Sequence, residues 1–363
     1  MQVDFLIIGQ GLAGSLLARS LRAKGARVAV VDDAWRSASS QVAAGLMTPL
    51  TGRRFTLTPD YPGLFTRAGE VLGALGVFHP VDVYRLFVDA EQRERGLKRS
   101  DDPTCQPFIR RLTGRRGELQ AELTDEQGGA LMKGAWVDLP KLLAQTRALL
   151  ASEGALVEDS FDPAEVEVGP AGVAWRHVQA AGVVYCDGYK SAQRGPFAYL
   201  PWQPAKGEVL DLRSDAPQSP FILNREGWAL PLGSGRWRVG TNWEWAGLDE
   251  TPTPAQRAKL IARFQGYFQQ PVSVDITGHL AGVRPCTADN RPFLGSHPDE
   301  ARFHLFNGLG PRGTVWAPTL AAVMADYLVD GKPIPEEVNL KRTRGSLMGN
   351  GEQSAERGSR SEG

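Results

Sequence analysis

Two glycine patterns of the same spacing stand near opposite ends of the chain: Gly9-Gln10-Gly11-Leu12-Ala13-Gly14 and Gly308-Leu309-Gly310-Pro311-Arg312-Gly313. Glycines so spaced let a backbone turn tightly and approach a pyrophosphate, whose charge then meets the free N–H groups and positive dipole end of a following helix. In the first pattern Gly9 would make the sharp turn, Gly11 would leave room for a phosphate, Leu12 and Ala13 would open the helix, and Gly14 would let that helix pack against a strand. Asp32 follows about twenty residues on, the distance at which an acid can accept hydrogen bonds from an adenosine ribose. Asp33 is its rival. A one-residue offset in a strand points to the other face, so at most one of the two is expected to reach the ribose.

The elements that must hold these residues are legible around them. VDFLIIG reads as a continuously apolar strand, SLLARSLRAKG as an amphipathic helix stopped at Gly25, and ARVAVVDD as a second buried strand. That unit opens a doubly wound, Rossmann-like nucleotide-binding fold. The second glycine pattern also follows a strand, RFHLFNG, and opens a helix, TVWAPTLAAVMADYLVDG. No further strand ending in an acid comes after it, so it cannot build an adenosine site of its own.

Between them, GLFTRAGEVLGALG and VDLPKLLAQTRALLASEGA have helical spacing, the latter with Pro140 in its first turn. Residues 85–135 mix short alternating runs with charged turns and are expected to form strands of a separate antiparallel sheet. GWALPLGSGRWRVGTNWEW reads as a hairpin, TPAQRAKLIARFQGYF as a helix, and HLAGVRPCTADNRPFLG as an irregular segment. From about Arg344 the chain is Gly, Ser, Glu and Arg with almost no apolar residue, which reads as a disordered tail. The fold class is therefore mixed α/β. Residues 1–85, 136–200 and 276–343 are expected to form a discontinuous nucleotide-binding domain, and residues 86–135 and 201–275 a second domain for the substrate.

Composition narrows the partners. Lys plus Arg and Asp plus Glu number 41 each, so no net field draws the chain to nucleic acid or an anionic membrane, and a small molecule is the expected partner. Cys105, Cys186 and Cys286 lack metal or CxxC spacing, which fits reduced thiols in the cytoplasm. The run FLIIG is too short for an export signal or a membrane span. His79, His177, His279, His297 and His304 show no pairing that suggests a triad or metal site.

IIGQGLAGSLLARSL…VVDD, the small-residue run SSQVAAGL, and AGVRPCTADNRPFLG…FNGLGPRGT together resemble the FAD-dependent D-amino-acid oxidase superfamily, which includes glycine oxidase, sarcosine oxidase and D-amino-acid dehydrogenases. The resemblance runs in family order from residue 3 to about residue 342. It implies that Ser39, Ser40, Gln41, Ala44 and Gly45 lie along the flavin, where small side chains admit a planar ring; the alternative is a flexible loop crossing the sheet. It adds Gly188 to the cofactor contacts. Gly308, Gly310, Arg312, Gly313 and Thr314 would close the same site near the flavin pyrimidine, where a helix N-terminus favours the negative charge of the reduced ring. Arg312 contributes to that field or to substrate binding.

Arg284 matches the position that holds the substrate carboxylate in glycine oxidase-like enzymes, a task suited to a planar guanidinium fork; the alternative is a structural pair with Asp289. Trp228 and Trp243 would wall the substrate above the flavin, or else pack across strands. Arg53 and Arg54 either meet an acidic substrate or pair on the surface. Sarcosine oxidases bind flavin through a cysteine that falls at Gly282 here, so the FAD is expected to be non-covalent and Cys286 an ordinary half-buried residue. The implied reaction is oxidation of a small amine or amino acid by hydride transfer from the C–H next to nitrogen to flavin N5, giving an imine. Oxygen and other electron acceptors are equally compatible. Two other classes fit a flavin site: an enzyme modifying a uridine of tRNA, and a non-catalytic flavin-binding protein.

Overall fold

The computed structural model describes residues 1–35 and 38–343, so the expected tail from Arg344 lies outside the described residues. Five parallel strands form the heart of the first sheet, in the spatial order Leu156–Glu158, Val28–Asp32, Gln2–Ile8, Val178–Tyr185 and Phe303–Asn307. They are buried on both faces, which is why Val28–Asp32 lacks polar alternation. Gly172–Trp175, Glu167–Gly169 and Phe293–Ser296 add antiparallel strands at its edges. The helix Leu12–Ala23 turns Leu12, Leu16, Leu17 and Leu21 inward, and the helix Gly313–Asp330 packs beside it.

The second sheet has eight strands, in the order Asp275–Arg284, Ala205–Arg213, Arg236–Gly240, Trp228–Gly233, Ile222–Asn224, Val83–Leu86, Gly129–Met132 and Ile109–Thr113. All pairs are antiparallel except that of Ile222–Asn224 with Val83–Leu86. The fold is thus mixed α/β with a parallel sheet and a mostly antiparallel one.

Two local expectations change. Within residues 85–135, expected as strands, Ala90–Asp101 is a helix, capped by the Asp89 carboxylate and laced by the i,i+4 pairs Glu91–Arg95 and Glu94–Lys98. It is polar nearly all round, so charge spacing rather than apolar periodicity marks it. The segment opening HLAGVR, expected to be irregular, is the second half of the strand Asp275–Arg284. Its two glycines and half-exposed outer face mask the alternation. Ser39–Val42, in the run for which a flexible loop is the alternative reading, forms one helical turn.

Candidate functional site

The first glycine loop is built as its spacing demands. Gly9 has φ +93°, and a Cβ there would sit 2.9 Å from the Cys186 carbonyl oxygen. A Cβ on Gly14 would sit 1.9 Å from the Gly9 carbonyl oxygen, so Gly14 stands behind the loop and lets the helix close on it. Gly11 caps the helix without a side chain, and only the Leu12 N–H is taken locally, by Ser40 Oγ at 3.1 Å. The other N–H groups of that turn remain available to an anion.

Both Asp32 and Asp33 line the cavity beside this loop. The strand ends at Asp32 and the chain bends at Asp33, so strand alternation does not separate the two. Asp32 accepts from the N–H groups of Gln10 and Trp35, both at 2.9 Å, and pairs with Arg147 at 3.0 Å. Asp33 pairs with Lys190 at 2.8 Å. Asp187, also on the cavity, accepts from the Ser191 hydroxyl, and burial pushes its carboxyl up to about 6.

Ser39, Ser40, Ala44 and Gly45 line the middle of the cavity, whereas Gln41 does not. Gly45 has φ +69°, and a Cβ there would meet the Val137 carbonyl oxygen at 2.1 Å, so close backbone approach within the protein already requires glycine. Across the cavity lie Gly188, Gly308, Gly310, Arg312, Gly313 and Thr314. Asn307 joins the two parts of that wall: its Nδ2 donates to the Gly188 carbonyl at 2.9 Å, and its Oδ1 accepts from the Gly308 N–H at 2.8 Å. No side chain caps the helix starting at Gly313.

One face of the second sheet closes the cavity. Arg284, at the end of its strand, donates from Nη2 to Thr241 Oγ1 at 2.7 Å and more weakly to the carbonyls of Lys206 and Asn242, while its guanidinium lies 4.5 Å from the Trp243 ring centroid. Glycine makes the space: a Cβ on Gly207 would meet Arg284 Nη2 at 2.0 Å, and one on Gly240 would meet the Trp228 ring at 2.3 Å. The alternative partner Asp289 is bound instead to Arg342 at 2.8 Å. Among the described residues, then, Arg284 has only neutral acceptors, and burial lowers its pKa.

Trp228 and Trp243 both line the cavity, with Trp243 at its exposed side, stacked on Trp245. Arg312 donates to Thr51 Oγ1 at 3.0 Å. Arg53 pairs with Asp89 at 2.9 Å on the rim, and Arg54 is exposed away from the cavity. Cys286 is buried rather than half-buried, and burial raises its thiol to about 11. None of the five histidines lines the cavity.

Sequence reasoning missed Arg85, Arg147 and Asp187. Arg85 is 6% exposed and lines the cavity. A lone charge between Val83 and Phe87, in a run apolar on both faces, was its signal. Arg147 left none, because its partners Asp32 and Gln10 are more than a hundred residues away.

The cavity holds about 870 Å³, and its glycine-cleared walls and two uncapped helix starts fit a dinucleotide. Among curated proteins the chain is 26% identical to glycine oxidase of Pseudomonas aeruginosa over 357 residues, covering 92% of this chain and 97% of that one. It is 25% identical to the tRNA 5-methylaminomethyl-2-thiouridine biosynthesis bifunctional protein MnmC of Aeromonas hydrophila, covering 93% of this chain but only 57% of that protein. Similar folds are glycine oxidase from Geobacillus kaustophilus (TM-score 0.75, 21% identity, 92% and 96% of the two chains) and iminodiacetate oxidase from Chelativorans sp. BNC1 (TM-score 0.74, 23% identity, 92% and 98%). No helix among the described residues is long and apolar enough to cross a membrane. The family model for DAO, FAD dependent oxidoreductase, matches residues 4–327, nearly the whole described chain, and this protein belongs to that family of FAD-dependent enzymes.

Proposed function

We propose that this enzyme oxidises the C–N bond of a small amine or amino acid whose carboxylate is held by Arg284. The observation that carries the reading is a guanidinium on the cavity wall that meets only neutral oxygens and is partly desolvated. Such a cation gains most from an incoming anion, because the low-dielectric wall strengthens a charge-assisted pair. Bound FAD supplies the acceptor at N5 for the hydride leaving the C–H beside nitrogen, and water hydrolyses the resulting imine.

The chain's own residues bind and orient. Arg284 fixes the carboxylate, the Trp243 face holds the guanidinium in plane, and Trp228 walls the substrate. An amine that arrives deprotonated needs no side-chain base for this step. Gly9, Gly11, Leu12 and Ala13 would receive the pyrophosphate, Asp32 and Asp33 the adenosine end, and Ser39, Ser40, Ala44, Gly45 and Gly188 the body of the cofactor. The helix N-terminus at Gly313 and Thr314, with Gly308, Gly310 and Arg312 before it, favours negative charge on the reduced ring. The FAD is held without a covalent bond, since position 282 is glycine and the Cys286 thiol is buried and protonated. The cofactor residues come from segments 1–85, 136–200 and 276–343, and the substrate wall mainly from the second sheet.

Anaerobic mixing of the holoenzyme with glycine, sarcosine, proline and D-amino acids tests the reading through the flavin absorbance. One or more should bleach it, and Arg284→Met should slow the bleaching by about 10²-fold or more. A flavin that stays oxidised with every amine refutes it. A second reading applies the same chemistry to a modified uridine of tRNA, favoured by the 25% identity with MnmC over 93% of this chain. Bleaching by tRNA and by no free amine would establish it.

A further inference from the structure

Six guanidiniums on the cavity wall, those of Arg85, Arg194, Arg225, Arg263, Arg284 and Arg312, meet only neutral acceptors among the described residues, and of these Arg85 alone is buried. Arg85 donates from Nη1 to Asn224 Oδ1 at 3.0 Å and from Nη2 to the Gly52 carbonyl at 3.1 Å, with its guanidinium 4.8 Å from the Phe55 ring centroid. Arg312 donates to Thr51 Oγ1, so two guanidiniums converge on the consecutive residues Thr51 and Gly52. Among the described residues no carboxylate bonds to either of them. The nearby Arg53 already pairs with Asp89. A buried guanidinium such as that of Arg85 is costly to keep charged unless an anion joins it.

Strand register sets the geometry. Arg85 pairs with Asn224, Asn224 with Trp228, and Trp228 with Gly240, a row whose side chains share one face, and all three side chains line the cavity. Neighbouring strands lie about 4.8 Å apart, so the backbones of Arg85 and Gly240 are roughly 14 Å apart. Both guanidiniums lean inward, Arg85 onto Asn224 and Arg284 onto Thr241, which leaves about 10 Å between them with Trp228 as the floor.

We propose that the substrate carries a second carboxylate, held by Arg85 and Arg312 while Arg284 holds the first. A substrate with carboxylates on both sides of its amine, or an amino dicarboxylic acid, spans that gap. The proposal rests on the amine-oxidation reading for the substrate's chemistry, but the second anion site can be tested without it.

Thiodiacetate carries two carboxylates and (methylthio)acetate one, and neither has an amine to oxidise. Titrating each into the holoenzyme and following the flavin spectrum reads the anion sites alone. Wild-type enzyme should bind thiodiacetate at least about tenfold more tightly, and Arg85→Met should bring the ratio to about one. Arg85→Lys, which keeps the charge at a buried position, should retain part of the preference and serves if the Met variant fails to fold. A wild-type ratio near one, or a ratio unchanged in Arg85→Met, overturns the proposal.

Parallel anaerobic mixing with iminodiacetate and sarcosine separates the two readings. Sarcosine bleaching the flavin as fast as iminodiacetate, with thiodiacetate no tighter than (methylthio)acetate, leaves amine oxidation standing and removes the second carboxylate. Tight thiodiacetate binding with no bleaching by either amine leaves the two-anion site standing and removes the amine chemistry.

Discussion

Substituting Gly207 by alanine should disable the carboxylate site without touching a residue that contacts substrate. The new Cβ would lie 2.0 Å from Arg284 Nη2, 2.5 Å from Cζ and 2.6 Å from Nη1. Unstrained contact needs about 3.5 Å, so the guanidinium must retreat by about 1.5 Å. That lengthens the 2.7 Å bond to Thr241 beyond hydrogen-bonding range and shifts the group along the Trp243 face. Gly207 lies in a strand and is not among the positive-φ glycines, and the clashing atoms end a flexible side chain, so folding and flavin content should survive. Misplacing an orienting group by about 1 Å costs on the order of 10²-fold, or about 2.7 kcal/mol. The assay is the affinity of the holoenzyme for (methylthio)acetate from the flavin spectrum, with the bleaching rate for any amine that reacts. A Gly207→Ala variant that holds its flavin and keeps both values within about twofold would refute the placement of the carboxylate at Arg284.

Gly14→Ala places a Cβ 1.9 Å from a backbone oxygen, so the first helix must move off the loop; the flavin-to-protein absorbance ratio should fall by about tenfold or more. Asp187 has a folded pKa of about 6, above its ordinary 3.8, so its charged form is penalised and stability falls as pH rises from 3.8 through 6. Asp187→Asn should therefore gain on wild type across that window, by up to about 3 kcal/mol, in urea melts at a series of pH values; a constant difference would disprove it. Buried His304 is the reverse case. Its folded pKa is lowered to about 4 from 6.5, so its contribution is intact above 6.5 and lost as pH falls towards 4. His304→Gln should flatten the acid side of the stability curve, and an unchanged slope between pH 6.5 and 4 would count against it.

The first glycine loop is legible in the sequence because its determinants are local: a turn, a helix start and a strand end lie within about twenty-five residues. The strand order and register of the second sheet are not, since its row Arg85, Asn224, Trp228 and Gly240 joins strands from distant parts of the chain. Arg284 could be singled out by resemblance. Nothing in the sequence tied its freedom from an acid partner to Gly207, or tied Asp289 to Arg342. At Gly45 the small residue read as clearance for a ligand is also required within the protein, since the Val137 carbonyl forbids a side chain there.

The same distinction weighs the glycines of the site against one another. Gly14 and Gly45 are fixed by backbone atoms, so their substitution disturbs the fold that holds the cofactor. Gly207 and Gly240 are fixed by the side chains of Arg284 and Trp228, which the proposed function assigns to the substrate. On that proposal their lack of side chains serves specificity. A chain keeping the first pair and filling the second would be expected to bind FAD and accept a substrate without a carboxylate at Arg284, and exchanging Gly207 and Gly240 separately from Gly14 tests that separation by flavin content against ligand affinity.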